Sequence, residues 1–174
     1  MKKFIVLIAA LFAALLIAGC ASKPAAPSGP SAAELMASAK DKAPAGVLIG
    51  QATGKGSVDQ VALRQIIRGM TYIVGEMADE QSAAGRLSAG VASEFKQTVA
   101  TILSRANLGN AVKVEVGTGA GDMGYAVFYL DKAEALKEIT KAVNLAKESV
   151  AAGNFNFSNF EAKFAIAITK EWKN

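Results

Sequence analysis

Cys20 is the only thiol in the sequence, and no histidine accompanies it. That pairing of facts removes whole classes of chemistry. There is no Ser-His-Asp or Cys-His arrangement, no histidine zinc ligand and no imidazole proton shuttle. A single cysteine forms no internal disulfide and no cysteine-only metal cluster. Three other constellations invite a reading. Gly119-Ala120-Gly121-Asp122-Met123-Gly124 has the spacing of a dinucleotide fingerprint, but a β-rich segment follows it where that motif needs a helix N-terminus facing the pyrophosphate. Gly50 to Ser57 approximates a phosphate loop, yet it is one residue short, and Gly56 separates Lys55 from Ser57, so the amine and hydroxyl would not meet one phosphate. Glu76, Asp79 and Glu80 cluster without the spacing of a calcium loop. No Asp or Glu pair is singled out for glycoside hydrolysis. The sequence therefore implies no catalytic residue, no cofactor and no metal.

The setting of Cys20 is more informative. Lys2 and Lys3 precede an uninterrupted apolar run from Phe4 to Ala18, 15 residues long. A transmembrane helix needs about 20. A positive start and a short apolar core form the signal-peptide pattern. Immediately afterwards, Ile17-Ala18-Gly19-Cys20 resembles the lipobox of bacterial lipoproteins: an aliphatic residue, two small residues that let a peptidase approach, and a cysteine. The resemblance implies cleavage between Gly19 and Cys20, with diacylglycerol on the Cys20 thiol and usually an acyl group on the new amino terminus. Residues 1–19 are then the signal peptide, with Ile17, Ala18 and Gly19 as its recognition residues. Position 21 is Ala rather than Asp, which by the same resemblance implies export to the outer membrane.

Behind the cysteine, Ala21 to Pro30 holds three of the four prolines. Such a segment cannot bury a core and tends to extended conformations. Its ten residues, at about 3.1 Å each, span roughly 30 Å. Ser31 and Glu34 have capping-box spacing for a short helix over 32–40. With the lipidated Cys20 that the resemblance implies, composition sets residues 20–43 as anchor and tether, and 44–174 as one domain.

Period then reads the domain. Val47 to Thr53 is a glycine-bounded strand. Ser57 stands where a helix from Val58 to about Asp79 would be capped; its stripe is Leu63, Ile66, Met70, Ile73 and Met77. Gly69 and Gly75 within it each cost about 1 kcal/mol relative to Ala, so burial must hold this helix. A second helix runs from about Leu87 to Ala106. Ala111 to Val116 alternates, which predicts Val112, Val114 and Val116 on the core and Lys113 and Glu115 in water. A long glycine-rich connection leads to a second hairpin strand, Tyr125 to Leu130. Asp131 caps a helix carrying Leu136, Ile139, Val143, Ala146 and Val150, with Gly153 as its stop. The tail has both helical spacing (Phe160, Phe164, Ile168, Trp172) and local alternation; a helix opened by Ser158 and Glu161 is favoured. The order β-α-α-β-β-α-α predicts an α+β domain with a small, antiparallel-containing sheet packed by amphipathic helices.

Residues 44–150, with the strand Gly124-Tyr-Ala-Val-Phe-Tyr-Leu-Asp131 at their centre, resemble the Lpp-twenty-like outer-membrane lipoproteins, which have a β-α-β-β-α core. Those sequences carry an Ala- and Arg-rich first helix, matched only in part by Arg64 and Arg68, and often an aromatic where this chain has Val116 and Gly117. The resemblance implies an envelope lipoprotein and supplies no catalytic residues.

The expected function is accordingly a non-catalytic, lipid-anchored outer-membrane protein that binds or scaffolds an envelope protein or peptidoglycan. The alternative is a lipoprotein holding a small ligand between sheet and helices. Five of the twelve aromatics, Phe155, Phe157, Phe160, Phe164 and Trp172, crowd the last twenty residues, as core packing or as a surface for a partner or lipid. Lys and Arg are dispersed without an aromatic stripe, which argues against nucleic acid. Removing Lys2 and Lys3 with the signal lowers the net charge from +4 to +2.

Overall fold

A computed structural model describes residues 28–109 and 111–172. It is an α+β domain of three antiparallel strands and five helices. In chain order these are α1 (Ala32–Asp41), β1 (Leu48–Gly54), α2 (Val58–Ala83), α3 (Ala89–Ser104), β2 (Lys113–Gly119), β3 (Met123–Leu130), α4 (Lys132–Ser149) and α5 (Phe160–Ala167). Among the described residues, no helix is long and apolar enough to cross a membrane.

The strand order is β1-β3-β2, with β3 in the centre. Both faces of β3 are covered, which is why Tyr125 to Leu130 reads as a nearly continuous apolar run. On one face Ala126, Phe128 and Leu130 join Leu48, Ala52, Ile66, Met70 and Ile73 in the main core. On the other, Tyr125 and Val127 meet Ala32 and Ala39 of α1, with Leu35, Met36 and Ile49 at the margin. Helix α1, which composition placed before the boundary at 44, thus packs on the sheet.

Helix α2 is the spine. It lies over β1 and β3 and also contacts α3 and α5. Its stripe of Ile66, Met70, Ile73, Val74 and Met77 is buried, while Leu63 is only half-buried. The helix continues past Asp79 to Ala83, and Gly85 closes the turn with φ +72°. Helix α3 returns with Phe95, Val99 and Leu103 inward. Helix α4 packs on α3 through Ile139, Ala142, Val143 and Ala146. The late aromatics are mostly core: Phe155 stacks between Phe95 (4.7 Å) and Phe157 (5.6 Å), and Phe160 and Phe164 are buried.

Capping chemistry divides the helix starts. Ser31 and Glu34 form a complete capping box, and Asp131 Oδ1 accepts from the Glu134 N–H at 2.9 Å. Ser57 occupies the N-cap of α2 without a side-chain bond, and Asn159, not Ser158, precedes α5. The tail is helical to Ala167, as periodicity favoured, and irregular after it. Helix α4 ends at Ser149, short of Gly153.

Two expectations about the hairpin are corrected. The connection is not long: β2 reaches Gly119 and β3 starts at Met123, because Gly117, Gly119 and Gly124 lie in paired strand. Only Gly121 (φ +74°) and Asp122 (φ +56°) make the left-handed bend. Second, Val112 is buried, but Val114 and Val116 are 50% and 55% exposed. They do stand on the main-core side of the sheet, opposite Phe128 and Ala126. Helix α2 covers β1 and β3 and stops short of β2, so that side of the edge strand is open.

Candidate functional site

Ile17, Ala18, Gly19 and Cys20 lie outside the described residues. What the structure does place is the point at which the segment behind them joins the domain. The Pro30 carbonyl accepts from the Ala120 N–H at 2.9 Å, at the tip of the β2–β3 hairpin. The next residues press on the strand end: a Cβ built on Gly119 would lie 2.3 Å from the Ala32 backbone nitrogen. Ser31 then caps α1, its N–H donating to Glu34 Oε2 at 2.7 Å and its hydroxyl accepting from the Glu34 N–H. The backbone bond from Ser31, then its hydroxyl bond, hold the Glu34 carboxyl below the usual carboxylate range. Pro30 and the residues after it are thus fixed to one end of the sheet by a backbone bond, a close approach only glycine permits, and a capped helix packed on Tyr125 and Val127.

The motif-like stretches have structural roles. Gly50 to Gly54 is a strand paired with Gly124 to Phe128, so it forms no phosphate loop. Gly50 is needed for approach: an added Cβ would fall 1.9 Å from the Ala62 carbonyl oxygen of α2. Gly119 to Gly124 is a strand end, a turn and a strand start.

The acidic cluster is neutralised. Asp79 takes Lys96 at 2.6 Å. Glu80 pairs with Lys163 of α5 and also accepts from Asn159 Nδ2 at 2.6 Å, while Glu76 lies 3.8 Å from the same ammonium. The Lys163 hydrogen bond first, then Asn159, lower the Glu80 carboxyl; the bond to Glu80 raises the Lys163 amine against the opposing effect of burial. Beside this seam, Gln81 holds both backbone groups of Asn156, donating to its carbonyl at 2.9 Å and accepting from its N–H at 3.0 Å. Together these bonds fasten α5 and the loop before it to α2. Among the described residues, no group of three or more acidic or thiol side chains is arranged to hold a metal.

The space between sheet and helices, where a small ligand would sit, is filled by Leu48, Ile66, Met70 and Leu130, all with no exposed surface. The described clefts are peripheral. One, about 470 Å³, runs between Ile102 and Arg105 at the end of α3 and Leu145 of α4. Another, about 460 Å³, lies at the opposite end of the sheet from Pro30, between Gly46 and Lys132.

Sequence reasoning missed the buried polar residues Gln65, Gln81 and Lys163. Part of the signal was present: Gln81 falls four residues after Met77, in line with the apolar stripe of α2, whereas Gln65 lies at the flank of that stripe beside Ile66. It also missed that the edge strand β2 presents two valines to solvent. No known protein family, no curated protein and no solved structure matches this chain.

Proposed function

We propose that this chain is a lipid-anchored cell-envelope protein, attached to the outer membrane through Cys20, with one α+β domain that binds or scaffolds rather than catalyses. The observation that carries the reading is the run from Lys2 to Pro30: two lysines, 15 apolar residues ending in Ile17-Ala18-Gly19-Cys20, and then a proline tether. The clamp at Ala120 supports it, because it gives the tether a fixed attachment and leaves ten residues, roughly 30 Å, between Cys20 and the domain. One acyl chain anchors marginally, whereas two or three make attachment effectively permanent. The Cys20 anchor thus connects to the domain at the hairpin tip with Gly121 and Asp122, and the other end of the sheet holds Gly46, Lys113 and Asp131. The outer surface of the domain, not a buried pocket, is what it offers to an envelope protein or peptidoglycan.

The test is expression of the full chain with labelled palmitate, followed by membrane fractionation. The parent should carry label, run at the mass expected for cleavage before Cys20, and sediment with outer membranes. Cys20→Ala should stay unlabelled and uncleaved. If Cys20→Ala were still cleaved after Gly19 and still fractionated with the outer membrane, the anchor would not be this thiol.

A further inference from the structure

The two edges of the sheet differ. At β1 the free edge is occupied: the Gln51 N–H donates to Gln65 Oε1 at 2.9 Å, and Ile168, Lys170 and Trp172 line a narrow cleft beside Ile49 and Gln51. At β2, among the described residues, no backbone hydrogen bond joins Lys113 to Thr118 to anything but β3. Natural edge strands are blunted by proline, bulges or charges, lysine above all, since unpaired N–H and C=O groups template further pairing; Lys113 is such a charge, and Glu115 two residues on can offset it in a second copy. Strand β2 has no proline, pairs with β3 through seven consecutive positions without a bulge, and exposes Val114 and Val116 on one face.

We propose that β2 pairs antiparallel with β2 of a second copy of this chain, about a two-fold axis at Val114, making one continuous six-stranded sheet. The strand's charge pattern selects both the occupant and the register. A two-fold perpendicular to the sheet passes through a residue that faces its own symmetry mate. An axis at Glu115 sets Glu115 against Glu115, which is repulsive. An axis at Val116 sets Glu115 against Gly117 and Lys113 against Gly119, with no charge satisfied. An axis at Val114 sets Val114 against Val114, Val112 against Val116, and Lys113 against Glu115 twice. Only this register covers the exposed valines with valine and pairs every charge on the opposite face. Glu115 already has a loose neighbour, Lys42 at 3.6 Å with both side chains well exposed, which leaves a carboxylate oxygen for the second lysine.

The arrangement also suits the tether. The axis keeps both copies of α1 on one side of the joined sheet. The clamp at Ala120 lies six residues beyond the axis, so the two tethers leave about 40 Å apart on that side, where both reach one membrane. The pairing itself does not depend on lipidation.

The experiment uses the full chain in its host. Val114→Cys places two thiols across the axis at cross-strand contact distance. After mild oxidation it should give a reducible species at twice the monomer mass. The parent and Leu145→Cys, an exposed position on α4, should not. Adding Lys113→Glu should cut the cross-linked yield about tenfold by opposing carboxylates twice, and further adding Glu115→Lys should restore it. Cross-linking of Val114→Cys no stronger than that of Leu145→Cys, a product of another mass, or failure of the charge exchange to restore it would each overturn self-pairing. A parent dimer through an unmodified Cys20 would count against the lipid anchor alone; the Val114→Cys, Cys20→Ala double variant then still reads the pairing.

Discussion

Three glycines that line the spine of the fold should answer the same substitution with different signs. At Gly50, an added Cβ would sit 1.9 Å from the Ala62 carbonyl oxygen and 3.2 Å from Ile66 Cγ1. Carbon–oxygen contacts settle near about 3.3 Å, so α2 and β1 must part by about 1.4 Å. The obstacle is helix backbone, which cannot rotate aside. A gap of 0.5–1 Å already forfeits a quarter to a half of each dispersion contact, and Leu48, Ala52, Ile66 and Met70 line this seam. Overpacking costs 1–3 kcal/mol when side chains can adjust; Gly50→Ala belongs at about 3 kcal/mol or more. The strand entropy recovered by replacing glycine, about 0.5–1 kcal/mol, does not offset it.

At Gly69 the nearest atom is a flexible one, Leu48 Cδ2 at 3.1 Å, and at Gly75 it is Lys96 Cδ at 3.8 Å, an ordinary contact. Both glycines lie inside a helix, where Ala gains about 1 kcal/mol. Gly75→Ala should therefore stabilise by nearly that amount, and Gly69→Ala should come out near zero. Thermal unfolding of the chain from Ser28 onward, followed by far-ultraviolet circular dichroism, should rank them. The midpoint should fall by about 10 °C for Gly50→Ala and rise by about 3 °C for Gly75→Ala. Urea unfolding should move the midpoint with an unchanged slope. A Gly50→Ala protein as stable as the parent would refute the claim that strand and helix backbones touch there.

Gln81→Leu should cost about 2 kcal/mol, because it removes both partners of the Asn156 backbone; the Asn156 amide should lose hydrogen-exchange protection before the rest of the domain. Stability should also fall on the acid side. The folded Glu80 carboxyl is lowered, so its contribution is present above the ordinary carboxylate value and is lost as pH drops through the lower folded value; Glu80→Gln should flatten the profile below about pH 4. The raised Lys163 amine acts in the opposite window, with its contribution complete below about pH 10.4 and lost as pH rises beyond it.

Much of the fold was legible because it is written in local period. The 3-4 stepping of Ile66, Met70, Ile73 and Met77 names one helix face, and that face is buried. Ser31 and Asp131 announce helix starts through chemistry confined to four residues. Where a feature depends on a distant segment, the sequence is mute. Nothing near residues 32–41 says that this helix covers Tyr125 and Val127, and proline-rich surroundings make it resemble more tether. Glycines misled for a related reason: Gly117, Gly119 and Gly124 suggest a loop, yet all three sit in paired strand. At Gly119 the missing side chain makes room for Ala32, eighty-seven positions away in the chain.

The valines of β2 show where alternation stops being informative. Period 2 states which residues share a side of a sheet, and it placed Val112, Val114 and Val116 together correctly. It cannot state whether a helix reaches that side. That depends on α2 following β1 and β3, and on the strand order that leaves β2 outermost, neither of which is written within residues 111–116. A sequence that keeps valine at an uncovered edge, while sealing the opposite edge with Gln65 and its own C-terminal segment, has an asymmetry that folding of one chain does not require. Lys113 and Glu115, two apart on the far side of the same strand, complete it: within one chain their cross-strand neighbours are Tyr129 and Val127 of β3, which carry no charge, and a reversed copy of β2 brings each opposite its counter-charge. The surface proposed for self-pairing was thus partly visible from the start, as an alternating strand, but its meaning depended on what the rest of the fold leaves bare.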